Sequence, residues 1–149
     1  NERILLAPMI EEIFTDLAPL SDKRGVTLTA KGDGIMTGSD ALIYRLIFNL
    51  TENAVKYNRP GGSVRVSVTQ EPEKLLLRVS DTGSGIPEEY QRSIFQPFFR
   101  IDKSRSREYG GAGLGLSLVW EITNLHGGSV WVEESSENGT VIAVELPVQ

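Results

Sequence analysis

Cysteine is absent from this sequence. That absence excludes a disulfide framework, a Cys-ligated zinc and a thiol nucleophile. It is compatible with a reducing compartment. No apolar run approaches the roughly 18 residues that a membrane-spanning helix needs. The opening Asn1-Glu2-Arg3 leads straight into a charged amphipathic stretch, which is not the form of a signal peptide. Basic charge is in the minority, with 15 Lys and Arg against 20 Asp and Glu and a net charge of −5. That balance argues against a general nucleic-acid binder, so no nucleic-acid partner is expected. The first residue is not Met, and the chain is expected to be a piece of a longer protein.

What is present is ordinary in bulk and unusual in pattern. The 149 residues suit one domain, 1–149, with 40% apolar and 23% charged side chains. Fifteen glycines are many, and they cluster. Apolar residues at spacings of three and four predict a helix from about Pro8 to Arg24, although Pro19 falls inside it. Gly25 breaks it, and Val26–Ala30 alternates as a short strand. Residues 31–34 read as a turn and Ile35–Thr37 as another short strand. Ser39 or Asp40 caps a strong helix whose apolar face carries Leu42, Ile43, Leu46, Ile47, Leu50, Ala54 and Val55. It should end near Lys56, before the breaker Arg59-Pro60-Gly61-Gly62.

Val64, Val66 and Val68 alternate as a strand, and Leu75 to Val79 returns as its antiparallel partner. A short helix is predicted from Glu88 to Phe95. Residues 97–112 are net basic with little apolar periodicity, which reads as a mobile loop. A helix follows from Leu114 to Leu125, closed by His126-Gly127-Gly128. Two final strands flank the Asn138-Gly139 turn. The pattern predicts an α+β fold, a two-layer α/β sandwich with a mixed sheet covered on one face by three helices.

Three stretches carry chemistry. Asn49 and Asn53 stand one helical turn apart on one face, with Lys56 a turn further and Tyr57 after it. Two carboxamides and an ammonium on one ridge suit a magnesium-triphosphate, because an Asn oxygen is a hard ligand and Lys a point charge for phosphate. Alone, the same pattern describes a solvated helix face. Asp81 ends an apolar strand, and an ionised carboxylate only accepts hydrogen bonds. It can therefore select adenine by its exocyclic amine, while Gly83 and Gly85 let the backbone approach the ring. Alone, it is also a plain Asp-x-Gly turn. Gly111, Gly113 and Gly115 stand where a loop becomes a helix, and free N–H groups there attract anions. No Gly-Lys-Ser/Thr follows and no strand leads in, so neither the Walker loop nor the dinucleotide fingerprint applies. Phe95, Phe98 and Phe99 read as core or lid anchors. Arg100 can reach a terminal phosphate. His126, the single histidine, reads as a capping or packing residue.

The order of these stretches resembles the catalytic ATP-binding domain of bacterial sensor histidine kinases. Those belong to the superfamily of Bergerat-type folds that includes DNA gyrase, the Hsp90 chaperones and MutL. The matching stretches are Asn49-Leu-Thr-Glu-Asn53-Ala-Val-Lys56-Tyr57, Asp81-Thr-Gly83-Ser-Gly85-Ile86, Phe95-Gln-Pro-Phe98-Phe99-Arg100 and Gly111-Ala-Gly113-Leu114-Gly115-Leu116. The segment His126-Gly-Gly-Ser-Val-Trp131-Val-Glu is also similar. The resemblance implies ATP and Mg²⁺ as cofactors, with Asn49 on the metal. Asn53, Lys56 and Arg100 would contact phosphates, and Tyr57 would lie near the nucleotide. Asp81 would read the adenine amine, with Gly85 beside it. Gly83 and Ile86 complete that nucleotide-binding stretch, and Gly111, Gly113, Leu114, Gly115 and Leu116 complete the last one.

In the ATPase branch of this superfamily a Glu that activates water stands where this chain has Asn49. A carboxamide is no general base. A protein-histidine kinase is therefore implied, with transfer of the γ-phosphate to a histidine on a separate dimerisation domain of the same protein. This chain should bind ATP without phosphorylating itself. A response regulator is the implied further partner. A cytoplasmic location is expected, with no membrane contact by this domain and a membrane-bound sensor elsewhere in the protein. The alternatives are an ATPase of the same superfamily or a serine-type anti-sigma kinase.

Overall fold

The computed structural model describes residues 1–97 and 115–149. Seven strands and three α-helices occur among them: β1 (Glu2–Leu5), α1 (Leu6–Arg24), β2 (Thr27–Gly32), β3 (Ile35–Gly38), α2 (Asp40–Lys56), β4 (Ser63–Gln70), β5 (Lys74–Asp81), α3 (Gly115–Leu125), β6 (Ser129–Ser136) and β7 (Gly139–Pro147). Five strands form one sheet in the order β2-β4-β5-β7-β6. β2 and β4 run parallel, and the other neighbours antiparallel. The sheet is therefore mixed, as the sequence predicts. A parallel pair needs a crossover, and α2 lies within it.

Strand alternation decides the layers. Val64, Val66 and Val68 of β4, Leu75, Leu77 and Val79 of β5, and Ile142, Val144 and Leu146 of β7 are buried. Cross-strand partners such as Val66 with Val79 and Val79 with Ile142 place these side chains on one face. The helices supply the other half of the core through Ile10, Ile13, Leu17, Ile43, Leu46, Ile47, Leu50, Val119 and Ile122. Arg65, Arg78 and Trp131 alternate onto the opposite, more open face. There Arg78 and Glu133 form a bidentate ion pair at 2.7 and 3.1 Å.

The structure departs from the sequence reading in three places. Residues 2–5 form a strand, paired antiparallel with β3, and α1 begins at Leu6 rather than Pro8. Four residues are too few for periodicity to reveal an edge strand. β2 continues through Lys31 to Gly32, so the predicted turn at 31–34 is shorter. Asp33 then reaches across to accept the Ala7 N–H at 3.1 Å at the uncapped start of α1. The helix predicted for Glu88–Phe95 is instead two 3-10 turns, Glu88–Tyr90 and Ser93–Phe95. Only Ile94 and Phe95 are buried in that segment. Two adjacent apolar residues give no helical stripe to bury, and short 3-10 turns suffice.

Candidate functional site

α2 is anchored before it carries any chemistry. Ser39 caps it, its hydroxyl accepting the Leu42 N–H at 3.3 Å. Its buried face is continuous from Ile43 to Val55. Asn49, Asn53 and Lys56 lie on one stripe at the edge of that face, all half-buried. Among the described residues neither carboxamide has a hydrogen-bond partner, and neither is sealed from solvent. Two accessible carboxamides at a helix edge, unpaired among the described residues, are available to a ligand. Lys56 lies 3.7 Å from Glu52, a loose contact between partly exposed groups. Glu52 thus turns towards Lys56.

The Asp81 stretch closes against the end of this helix. Leu75, Leu77, Val79 and Asp81 occupy alternate positions of β5, so the carboxylate continues a row of buried core side chains. That position shifts its pKa. Burial pushes the Asp81 pKa above the ordinary carboxylate range, opposed by N–H donors from Gly83 and Thr140. Both donors bind the same oxygen, Oδ1, at 2.8 and 3.2 Å. Among the described residues Oδ2 has no partner. One carboxylate oxygen therefore holds the loop, and the other is left as an acceptor.

The glycines of this loop have an intramolecular reason. A Cβ on Gly83 would lie 2.7 Å from the Tyr57 carbonyl oxygen at the C-terminus of α2. A Cβ on Gly85, whose φ is +87°, would lie 2.1 Å from the Ser136 carbonyl oxygen. The chain's own backbone occupies the space that side chains would need. Close packing of Gly83 on Tyr57 also brings the Asp81 loop to the last turn of α2, where Asn53 and Lys56 stand. Tyr57 is 46% exposed there. Ile86 is half-buried against the core and donates its N–H to Ser135 Oγ at 2.7 Å.

Several supporting residues were not singled out from sequence. Arg59 Nη2 donates to the Gly83 and Glu137 carbonyls at 3.1 and 2.8 Å, joining three loops. Thr82 Oγ1 contacts Asn58 Oδ1 and accepts the Ser63 N–H, both at 2.9 Å. Thr140 is aligned with Asp81 only by the β5–β7 register. The Asn138-Gly139 turn signalled that hairpin, but no local pattern signalled its partner strand.

Gly115 opens α3 and is exposed, and Leu116 packs at the edge of the core. Phe95 is buried against Trp120 of α3, with ring centroids 6.1 Å apart. Phe98, Phe99, Arg100, Gly111, Gly113 and Leu114 lie outside the described residues. Among the described residues no group of three or more His, Cys, Asp or Glu could hold a metal. No helix there is long and apolar enough to cross a membrane. A separate recess of about 280 Å³ lies between Arg3, Leu5, Pro8, Met9, Glu12 and Asp40 and includes none of the predicted site residues.

The comparisons place the chain in a family. Residues 38–149 match the family described as histidine kinase-, DNA gyrase B-, and HSP90-like ATPase, and the chain belongs to that family. The sensor histidine kinase RppB of Synechocystis is 37% identical over 97% of this chain and 32% of its own length. WalK of Bacillus subtilis is 40% identical over 70% of this chain and 18% of its own. The chain thus spans a third or less of these two relatives. Its fold is that of the catalytic domain of histidine kinase ThkA, with a TM-score of 0.83 at 26% identity over 99% of this chain and 96% of that one. ThkA has also been solved in complex with its response regulator protein TrrA, where 99% of this chain matches 42% of the kinase with a TM-score of 0.81 at 26% identity.

Proposed function

We propose that this chain binds Mg-ATP and presents its γ-phosphate to a histidine on the dimerisation domain of a two-component sensor kinase. The observation that carries the reading is the divided carboxylate of Asp81. Oδ1 is held by Gly83 and Thr140, and Oδ2 is left as an acceptor at the end of a buried row. Adenine offers an amine donor to such an acceptor, whereas guanine offers a carbonyl oxygen that repels it. The Asn49 and Asn53 carboxamides, unpaired among the described residues, stand along the adjoining helix, where a triphosphate would extend.

Asn49 fits Mg²⁺ through one hard oxygen, because that ion keeps waters and phosphate oxygens as its other ligands. Bound there, the metal would offset charge on the β- and γ-phosphates. Asn53 and Lys56 would orient the phosphates. Phosphoryl transfer depends mostly on such positioning and electrostatics rather than on covalent help from the protein. Asn49 leaves this helix position without a general base for water. Glu52, three residues on, is engaged by Lys56. Transfer to an incoming histidine is then favoured over hydrolysis. Arg100 is assigned to the phosphates, and Gly111 and Gly113 to the nucleotide, by their match to the family motifs. A response regulator receiving the phosphoryl group follows from the kinase reading, and a membrane-anchored sensor would complete the protein.

The test mixes this chain, Mg-ATP and the separately prepared histidine-bearing domain of the same protein. Acid-labile, base-stable phosphate on that domain is the expected result, with negligible ATP turnover by the chain alone. Rapid turnover by the chain alone would establish the ATPase alternative. Phosphoserine on a partner protein would establish the serine-kinase alternative.

A further inference from the structure

His126 is held in one tautomer by two neighbours, one at each ring nitrogen. Its Nδ1 lies 2.8 Å from the Ile122 carbonyl oxygen, which can only accept, so Nδ1 carries the hydrogen. Its Nε2 accepts the Ser39 N–H at 3.2 Å, and a backbone N–H can only donate, so Nε2 is bare. The ring also needs Gly38. A Cβ there would lie 2.8 Å from the ring carbon Cδ2. One imidazole thus connects the C-terminal end of α3 to the residue that caps α2.

We propose that His126 is a positioning residue for the nucleotide, setting the register of α3 against α2. The inference rests on the ATP reading given above. From the His126–Ser39 contact, α3 runs back along α2, against which it packs. α3 has 11 residues and α2 has 17. At about 1.5 Å per residue, α3 is roughly 16 Å long, and its first residue falls about eleven residues along α2. That level lies between Asn49 and Asn53. By this rise Gly115 and Leu116 are set at the level of the carboxamide stripe only while the far end of α3 is held. A slip of one turn, about 5.4 Å, would carry them past Asn49.

The test compares His126→Ala and His126→Gln with the unchanged 149-residue chain. Dissociation constants are measured by calorimetry for Mg-ATP and for adenosine, with thermal unfolding as the check on folding. Adenosine probes the Asp81 end alone, whereas Mg-ATP also needs the α2–α3 register. His126→Ala should weaken Mg-ATP about three- to tenfold, the range of one lost hydrogen bond, and adenosine less than about twofold. His126→Gln offers both a donor and an acceptor and should restore most of the loss. Gly38→Ala, which pushes on the ring, should reproduce the selective loss and have no further effect in the His126→Ala background. A folded His126→Ala chain that binds Mg-ATP like the unchanged chain overturns the proposal. So does an equal loss for adenosine and Mg-ATP, or no rescue by Gln. Failure of the unchanged chain to bind Mg-ATP would instead defeat the ATP reading itself.

Discussion

Replacing Asp81 by Asn changes one atom of the proposed adenine reader and leaves its scaffold. The Asn carbonyl oxygen can still accept from the Gly83 and Thr140 N–H groups, as Oδ1 does at 2.8 and 3.2 Å. Oδ2, the proposed acceptor, becomes an amine that would face the adenine amine. A charge-assisted hydrogen bond worth about 1.5–3 kcal/mol is lost, and a donor–donor contact replaces it. ATP should therefore bind about ten- to two-hundredfold more weakly. GTP, which presents a carbonyl oxygen, should lose little, so the ATP/GTP preference narrows or inverts. Folding should not suffer. Burial raises the Asp81 pKa, so the buried carboxylate costs stability at neutral pH. A raised carboxyl pKa means that this group's contribution is complete below the unfolded value and is lost as pH rises through the folded value. The Asn variant should accordingly match or exceed the unchanged chain in stability at pH 7, with the gap closing on acidification. Calorimetric titration with both nucleotides, beside thermal unfolding at several pH values, reads every term. A folded Asn variant that keeps its ATP affinity within about twofold would refute the adenine assignment.

Other perturbations separate the scaffold from the chemistry. Gly85→Ala places a Cβ 2.1 Å from the Ser136 carbonyl oxygen at a φ of +87°, so it should lower stability by at least about 2 kcal/mol, read from denaturant unfolding. Asn49→Asp should change stability by less than about 0.5 kcal/mol, yet its added charge should weaken metal-free ATP binding and steepen the dependence on Mg²⁺. An unchanged ratio of ATP affinities with and without Mg²⁺ would remove the metal role of Asn49. Tyr44 donates to Asp16, and burial with that contact pushes its pKa from 10.0 up to about 12. Its stabilisation is complete below pH 10 and is lost as pH rises towards 12, so Tyr44→Phe should cost about 1 kcal/mol at pH 7 and flatten the alkaline limb of the stability curve.

Long elements were legible because their periods are unambiguous. α2 could be read from Ile43, Leu46, Ile47, Leu50 and Ala54, and its end from Arg59-Pro60-Gly61-Gly62. The β4–β5 pair could be read from alternating Val and Leu around a short turn. β1 could not, because four residues carry too little pattern and its partner β3 lies thirty residues away. The parallel pairing of β2 with β4 could not either, since nothing local fixes which strand lies beside which. The same distinction governs the site. Asn49, Asn53 and Asp81, the proposed ligand contacts, stand out in the sequence by residue type and spacing. Thr140 and Arg59 act through backbone atoms of segments distant in sequence, Arg59 reaching Glu137 across 78 positions.

The glycines at 83 and 85 show how far a local reading can reach and still misplace the cause. Reading Asp-Thr-Gly-Ser-Gly as a loop free to approach a flat ligand makes the ligand the reason for each missing side chain. In the folded chain the missing side chains are already accounted for by the Tyr57 and Ser136 carbonyls. Gly83 lets the loop sit on the last turn of α2, and Gly85 lets it sit on the end of β6. Arg59 then ties the same loop to the β6–β7 turn through two carbonyls. These contacts hold one Asp81 oxygen in place before any nucleotide arrives, which leaves the other as a preformed acceptor. Preformed acceptors bind more tightly because less freedom is lost on binding. The demand for glycine in this stretch is thus a demand of the protein's own packing. Its benefit to the ligand is the rigidity of a single carboxylate oxygen.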